Sequence, residues 1–146
     1  MSKIVPLISS GTAGPLGVVH LPRLWLKVSL EARGALADGY PGAGKGYDQM
    51  VLDGLGLNRE KTIAFIASSR PTYPQFEKWV AAQPGVKLDK ASVAKLNSSI
   101  LGYNHDDATR KSILAANGIV DNGTILDAVN LNNLDDWFSF HEAVLK

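Results

Sequence analysis

Three side chains in this sequence are best suited to chemistry: Arg23, Lys27 and Asp48. Arg23 and Lys27 stand four residues apart, one helical turn, and so share a face. Two cations at that spacing suit a carboxylate or phosphate ligand, and the arginine can grip two oxygens at once. Asp48 would orient one of the cations or act as general base. On this reading Lys27 or Asp48 moves a proton while Arg23 holds an anionic group. The same three charges would equally serve as an ion-pair cluster that pins one helix to the next.

A glycine-rich loop lies between these residues. Gly39-Tyr40-Pro41-Gly42-Ala43-Gly44-Lys45 fits the spacing G-x-x-x-x-G-K. A phosphate loop needs Ser or Thr next, to hold magnesium, and a strand before it. Gly46 stands at the first position and a helix precedes the loop, so nucleotide hydrolysis is rejected. Lys45 and the free N–H groups opening the next helix still offer an attraction for an anion. Tyr40, Lys45 and Tyr47 are expected to join Arg23 as ligand-binding residues, with Lys27 and Asp48 catalytic; Tyr73, in a core aromatic stripe with Phe76 and Trp79, joins them because it stands beside Arg70, where it could line a pocket. His20, His105 and His141 are scattered, without a partner at i+3 or i+4, so no metal site is expected. His141 reads as a buried histidine on the apolar face of the last helix. No cofactor motif is present, and any chemistry is expected to be cofactor-free.

The elements that must position these groups follow from composition and period. The chain has 146 residues, enough to bury roughly 70% of its unfolded surface in one domain. It carries 15 Lys+Arg against 14 Asp+Glu, a net charge of +1, which argues against a nucleic-acid partner. There is no cysteine, hence no disulfide and no thiol chemistry. No signal peptide or run of about 18 apolar residues is seen, so the expectation is a cytoplasmic protein with no membrane partner.

Residues 1–20 contain Pro6 and Pro15 and keep neither helical nor strand period, which predicts an extended arm lying on the domain. Leu21, Leu24, Trp25, Val28, Ala32 and Leu36 then recur on one helix face, with Leu26 and Leu30 on the other. That pattern predicts a helix covered on both sides. Further helices are expected from Tyr47, after Asn58, after Thr72 with a Thr72–Gln75 capping box, after Asp89 and after Asp106. Asn117-Gly118-Ile119 reads as a glycine C-cap. Asn132 or Asn133 is expected to cap the last helix, with Asp135 and Asp136 offsetting its dipole and Leu134, Trp137, Phe138, His141 and Leu145 inward. The fold class is all-α: an arm over 1–20 and a domain of six or seven short helices over 21–146.

The order of features over roughly residues 12–80 resembles a bacterial family known as domain of unknown function 5069. The matching features are a loop with Gly17, Leu21-Pro22-Arg23, Lys27 one turn on, a Gly/Tyr turn and Asp48 opening the next helix. Gly56-Leu57-Asn58 and a helix carrying Trp79-Val80 complete it. Trp25-Leu26 and Lys45-Gly46-Tyr47 depart from the family's pattern. The resemblance implies a fold and residues of interest but no reaction. Together these readings point to a small-molecule-binding domain for an anionic or polar partner, with acid–base chemistry as isomerase, lyase or hydrolase. The alternative is a non-catalytic helical interaction module, with a homodimer as one form.

Overall fold

Five helices in this chain start where a short polar side chain takes up orphan backbone N–H groups. The computed structural model describes residues 2–146. Asn58 caps α3 (Arg59–Ser69), Thr72 caps α4 (Tyr73–Ala81) and Asp89 caps α5 (Lys90–Leu101). Asp106 caps α6 (Asp107–Ala116) and Asp127 caps α7 (Ala128–Phe140). Each such cap is worth about 1 kcal/mol. The Thr72–Gln75 box is reciprocal, with Gln75 Oε1 accepting from Thr72 N at 2.9 Å. The other two helices, α1 (Leu21–Ala32) and α2 (Tyr47–Leu55), lack a side-chain cap. A single π-helical turn, His141–Leu145, follows α7. Among the described residues there is no β-strand, and the fold is all-α.

Helix α1 is the helix about which the others assemble. It packs on α2, α3 and α4, while α2 packs on α5, and α7 on α5 and α6. Leu21, Leu24 and Val28 meet Val51, Leu52 and Leu55 of α2, Ile66 of α3, Phe76 and Val80 of α4, and Ile100 of α5. Each fully buried aliphatic or aromatic side chain there contributes roughly 1.5–3 kcal/mol. The α2–α5 approach depends on Gly54: a Cβ there would lie 2.6 Å from Leu96 Cδ1. Among the described residues no helix is long and apolar enough to cross a membrane.

The arm over residues 2–20 is tied down at intervals by backbone bonds. Ile4 N donates to Ala35 O at 2.7 Å and Ala37 N to Ile4 O at 3.0 Å. His20 N donates to Thr12 O at 3.0 Å, and Asn97 on α5 bonds both Val19 N and Gly17 O. Pairing stops at isolated bridges because each crossing is a residue or two long.

Several sequence expectations are corrected. Helix α1 ends at Ala32, and Gly34 at φ 66° turns the chain, so Leu36 leaves the helix and bridges Ile4. Helix α7 begins at Ala128, because Asp127 caps five residues earlier than Asn132 can. Asp135 and Asp136 thereby sit mid-helix, outside the reach of the N-terminal dipole. The shift also leaves Trp137 59% exposed and Leu145 63% exposed. His141 falls in the π-helical turn with its side chain exposed rather than buried. Leu101 is half exposed at the end of α5.

Candidate functional site

The carboxylate of Asp48 is the point on which the site converges. Asp48 lies in the first turn of α2 and is 3% exposed. Its Oδ2 accepts from Lys27 Nζ at 2.6 Å and from Gly44 N at 2.7 Å. Its Oδ1 lies 2.6 Å from His20 Nε2. Burial alone would push this carboxyl up. The His20 hydrogen bond and the Lys27 charge outweigh it and hold Asp48 well below the usual carboxylate range. An ionised carboxylate only accepts, so Nε2 of His20 carries the shared proton. Burial pushes His20 itself down, against the pull of Asp48. The neutral ring then has its lone pair on Nδ1, a buried atom with no partner among the described residues.

His20 reaches Asp48 from a strained backbone. It occupies the N-cap of α1 at φ 70°, ψ −22°, a left-handed conformation that costs a side-chain-bearing residue of order 1–3 kcal/mol. Its ring leans on Tyr47 at 5.3 Å between centroids. Tyr47 is fixed in turn, its hydroxyl donating to Ile100 O at 2.6 Å. Burial raises the Tyr47 phenol, which stays protonated.

Arg23, on the same face of α1 as Lys27, is committed to protein partners. Its guanidinium grips Asp136 of α7 with two bonds, 2.6 and 3.0 Å, and donates to Pro6 O and Ile8 O, each at 2.8 Å. One side chain thus ties the arm and α7 to α1. The Tyr40 hydroxyl donates to Asp136 Oδ1 at 2.9 Å, and burial, more than Asp136, raises its phenol.

These groups line one open cleft of about 340 Å³ between α1, the glycine loop, the start of α2 and α7. His20, Arg23, Lys27, Tyr40, Lys45, Tyr47 and Asp48 contribute to its wall, and Tyr103, His105, Asn132 and Asp135 close the far side. His105 Nε2 lies 2.8 Å from Asn132 Oδ1. Asp135, at the rim, is pushed up first by partial burial and then by the charge of Asp136. The glycine loop forms a fixed wall. Gly42 N donates to Glu31 at 2.9 Å, and Arg59 clamps the loop through Gly44 O at 2.9 Å and through Ala43 O.

Of the residues singled out by sequence, Arg23, Lys27, Tyr40, Lys45, Tyr47 and Asp48 come together, and Tyr73 does not. Tyr73 packs edge-on against Trp25 and donates to Glu77 at 2.8 Å, away from the cleft. Lys45 stands exposed at the mouth. The anion expected at the start of α2 is the chain's own Asp48, which takes the Gly44 N–H. Sequence reasoning missed His20, Asp136 and Arg59. The sequence held no signal for His20, whose left-handed backbone at the N-cap sets it outside the period of α1. Asp136 carried no local signal, being 113 residues from Arg23.

Among the described residues no three His, Asp or Glu side chains gather as a metal-ligand set. Neither a scan against protein-family models nor a search of curated proteins finds a match to this chain.

Proposed function

We propose that the cleft beside α1 binds a small molecule with one carboxylate or carbonyl oxygen, and that Lys27 holds that oxygen. The observation that carries this reading is the state of Lys27. An ammonium has three N–H donors. Among the described residues Lys27 spends one, on Asp48, while its side chain lines the cleft at 8% exposure. Two donors thus remain for a ligand. A donor in so dry a place binds an oxygen far better than one in water.

The charge around the cleft narrows the ligand. Asp48 offsets Lys27 and Asp136 offsets Arg23, leaving Lys45 and Asp135 at the mouth. That balance favours a monoanion or a neutral carbonyl compound over a polyphosphate. Tyr47 and Tyr103, 5.6 Å apart between centroids, offer an apolar side for its body.

In this reading Asp48 orients Lys27 instead of carrying a proton, since its oxygens already take three donors. His20 holds Asp48 from behind. Arg23 is the structural tie between arm, α1 and α7. Cofactor-free proton transfer is the chemistry these residues supply. Lys27 stabilises negative charge developing on the ligand's oxygen, and Asp135, with its raised carboxyl, carries the proton. The reaction class is then an isomerisation or lyase step beside a carbonyl in the cytosol. Membership of the domain of unknown function 5069 family, over residues 12–80, belongs to the same proposal.

A second reading, an interaction module or homodimer face, draws on one observation. Trp137, Val144 and Leu145 stand 59, 62 and 63% exposed near one end of the chain. Titrating ¹⁵N-labelled protein with glycolate, phosphate and phenol in turn separates the two. Shifts at Gly44, Asp48 and the Lys27 side chain support the cleft. Concentration-dependent shifts confined to α7 without any ligand support the homodimer.

A further inference from the structure

A second pocket, of about 180 Å³, lies on the opposite side of α1, where α1 and the α3–α4 turn meet. Trp25 and Ile66 line it with apolar surface, Ser29 adds a hydroxyl, and Arg33 and Arg70 flank it. We propose that this pocket is a binding site for a small aryl or branched-alkyl carboxylate, separate from the Lys27 cleft.

Three observations carry the assignment. Ser29 Oγ is buried and has no hydrogen-bond partner among the described residues. A hydroxyl within a helix ordinarily bonds back to the carbonyl one turn earlier, as Ser68 and Ser99 do here at 2.7 and 3.0 Å. An unpaired buried hydroxyl is costly, and rotation of the Ser29 side chain toward the pocket it lines would let a ligand oxygen satisfy it. Next, neither guanidinium has an acceptor among the described residues, whereas Arg23, Arg59 and Arg110 are each bonded to two or more. Third, Arg70 holds φ 46°, ψ 56°, a left-handed backbone that few arginines adopt. It is the C-cap of α3 as Arg33 is the C-cap of α1.

The electrostatics select an anion. Two helix C-termini bring roughly half a negative charge each, and two guanidinium groups bring a full positive charge each. The balance is about one positive charge, matched to one carboxylate. The Trp25 indole already donates its N–H to Pro71 O at 3.0 Å, so its ring offers only an apolar face. A benzoate-sized body on Trp25 and Ile66, with its carboxylate between the arginines, fits the volume and the charge. Ser29 at the pocket wall suits a compound with a further hydroxyl.

The test uses benzoate, 4-hydroxybenzoate and neutral benzamide on the full chain, following the Trp25 indole N–H by NMR. Variants are Arg33→Gln with Arg70→Gln, and Ser29→Ala, with the Gly44 N–H followed as the reporter of the other cleft. Both arginines are exposed, so the double variant keeps the fold. The expected result is saturable shifts at Trp25 with both acids, and at least tenfold weaker binding of benzamide. The arginine double variant should lose tenfold or more at Trp25 while leaving any shift at Gly44 unchanged, and Ser29→Ala should erase the preference for the hydroxylated acid. Equal binding of benzamide, retention in the arginine variant, or no shift at Trp25 would each overturn the proposal.

Discussion

Lys27 Nζ and Asp48 Oδ2 lie 2.6 Å apart with side chains 8 and 3% exposed, joining α1 to α2 through a buried ion pair. Neither charge tolerates the loss of the other. Asp48→Asn leaves an ammonium buried without its counter-charge, and such a break costs about 3–5 kcal/mol. The expected outcome is a large drop in urea midpoint for Asp48→Asn, and a smaller one for Asp48→Asn combined with Lys27→Met. A double variant as unstable as the sum of the singles would show that the pair is uncoupled.

Arg23→Lys is expected to destabilise strongly although it keeps the charge. A lysine cannot span both oxygens of Asp136 and the carbonyls of Pro6 and Ile8 in one plane. The predicted loss is about 2–4 kcal/mol in chemical denaturation. Proteolysis should also cut first within residues 2–20, which this side chain holds to the domain. Arg23→Lys with wild-type stability would remove the arm's main anchor from the account.

Acid should destabilise the protein in two steps. His20 is lowered in the folded state, so as pH falls below its unfolded value of about 6.5 the unfolded chain takes up a proton first. Asp48 is also lowered, so its contribution is complete above about pH 4 and is lost only in stronger acid. Stability therefore declines from pH 6.5 downward, with a slope of at most about 1.4 kcal/mol per pH unit from His20. His20→Asn, which tolerates the left-handed backbone, should flatten the curve between pH 6.5 and 5. The same slope in wild type and variant would mean that His20 titrates as it does in the unfolded chain.

Asp135→Asn separates binding from turnover. The side chain stands at the rim and makes no hydrogen bond among the described residues, so the fold and ligand affinity should change little. If the cleft moves a proton through Asp135, any activity found in wild type should fall at least a hundredfold in this variant. Activity equal to wild type would transfer the proton-carrying role elsewhere.

Much of the architecture could be read from local chemistry, and the site only in part. Asn58, Thr72, Asp89 and Asp106 announce helices because an N-cap acts within three residues of itself. Arg23 and Lys27 were legible as a face by spacing alone. Asp136 was not, because a partner 113 residues away leaves no pattern beside it. Asp127 is the cap of α7, yet Asn132 and Asn133 offer the same capping chemistry five and six residues later, so local chemistry alone does not decide between them. His20 lay outside the helical period, on a backbone that sequence gives no reason to expect of a histidine. Tyr73 looked like a site residue because it stands beside Arg70, yet its hydroxyl serves Glu77.

The role proposed for Lys27 is to present free donors to a ligand in the cleft. Its most direct test is a thermal-shift screen against small carboxylates, phosphate and phenols, run on wild type and Lys27→Ala side by side. A ligand at about 100 times its dissociation constant should stabilise the fold by roughly 2.7 kcal/mol, which such a screen reads easily. A carboxylate or carbonyl compound is expected to raise the wild-type midpoint and to leave a still-folded Lys27→Ala unmoved. The same rise in both proteins, or none with any compound, would contradict it and leave Lys27 and Asp48 as a structural pair.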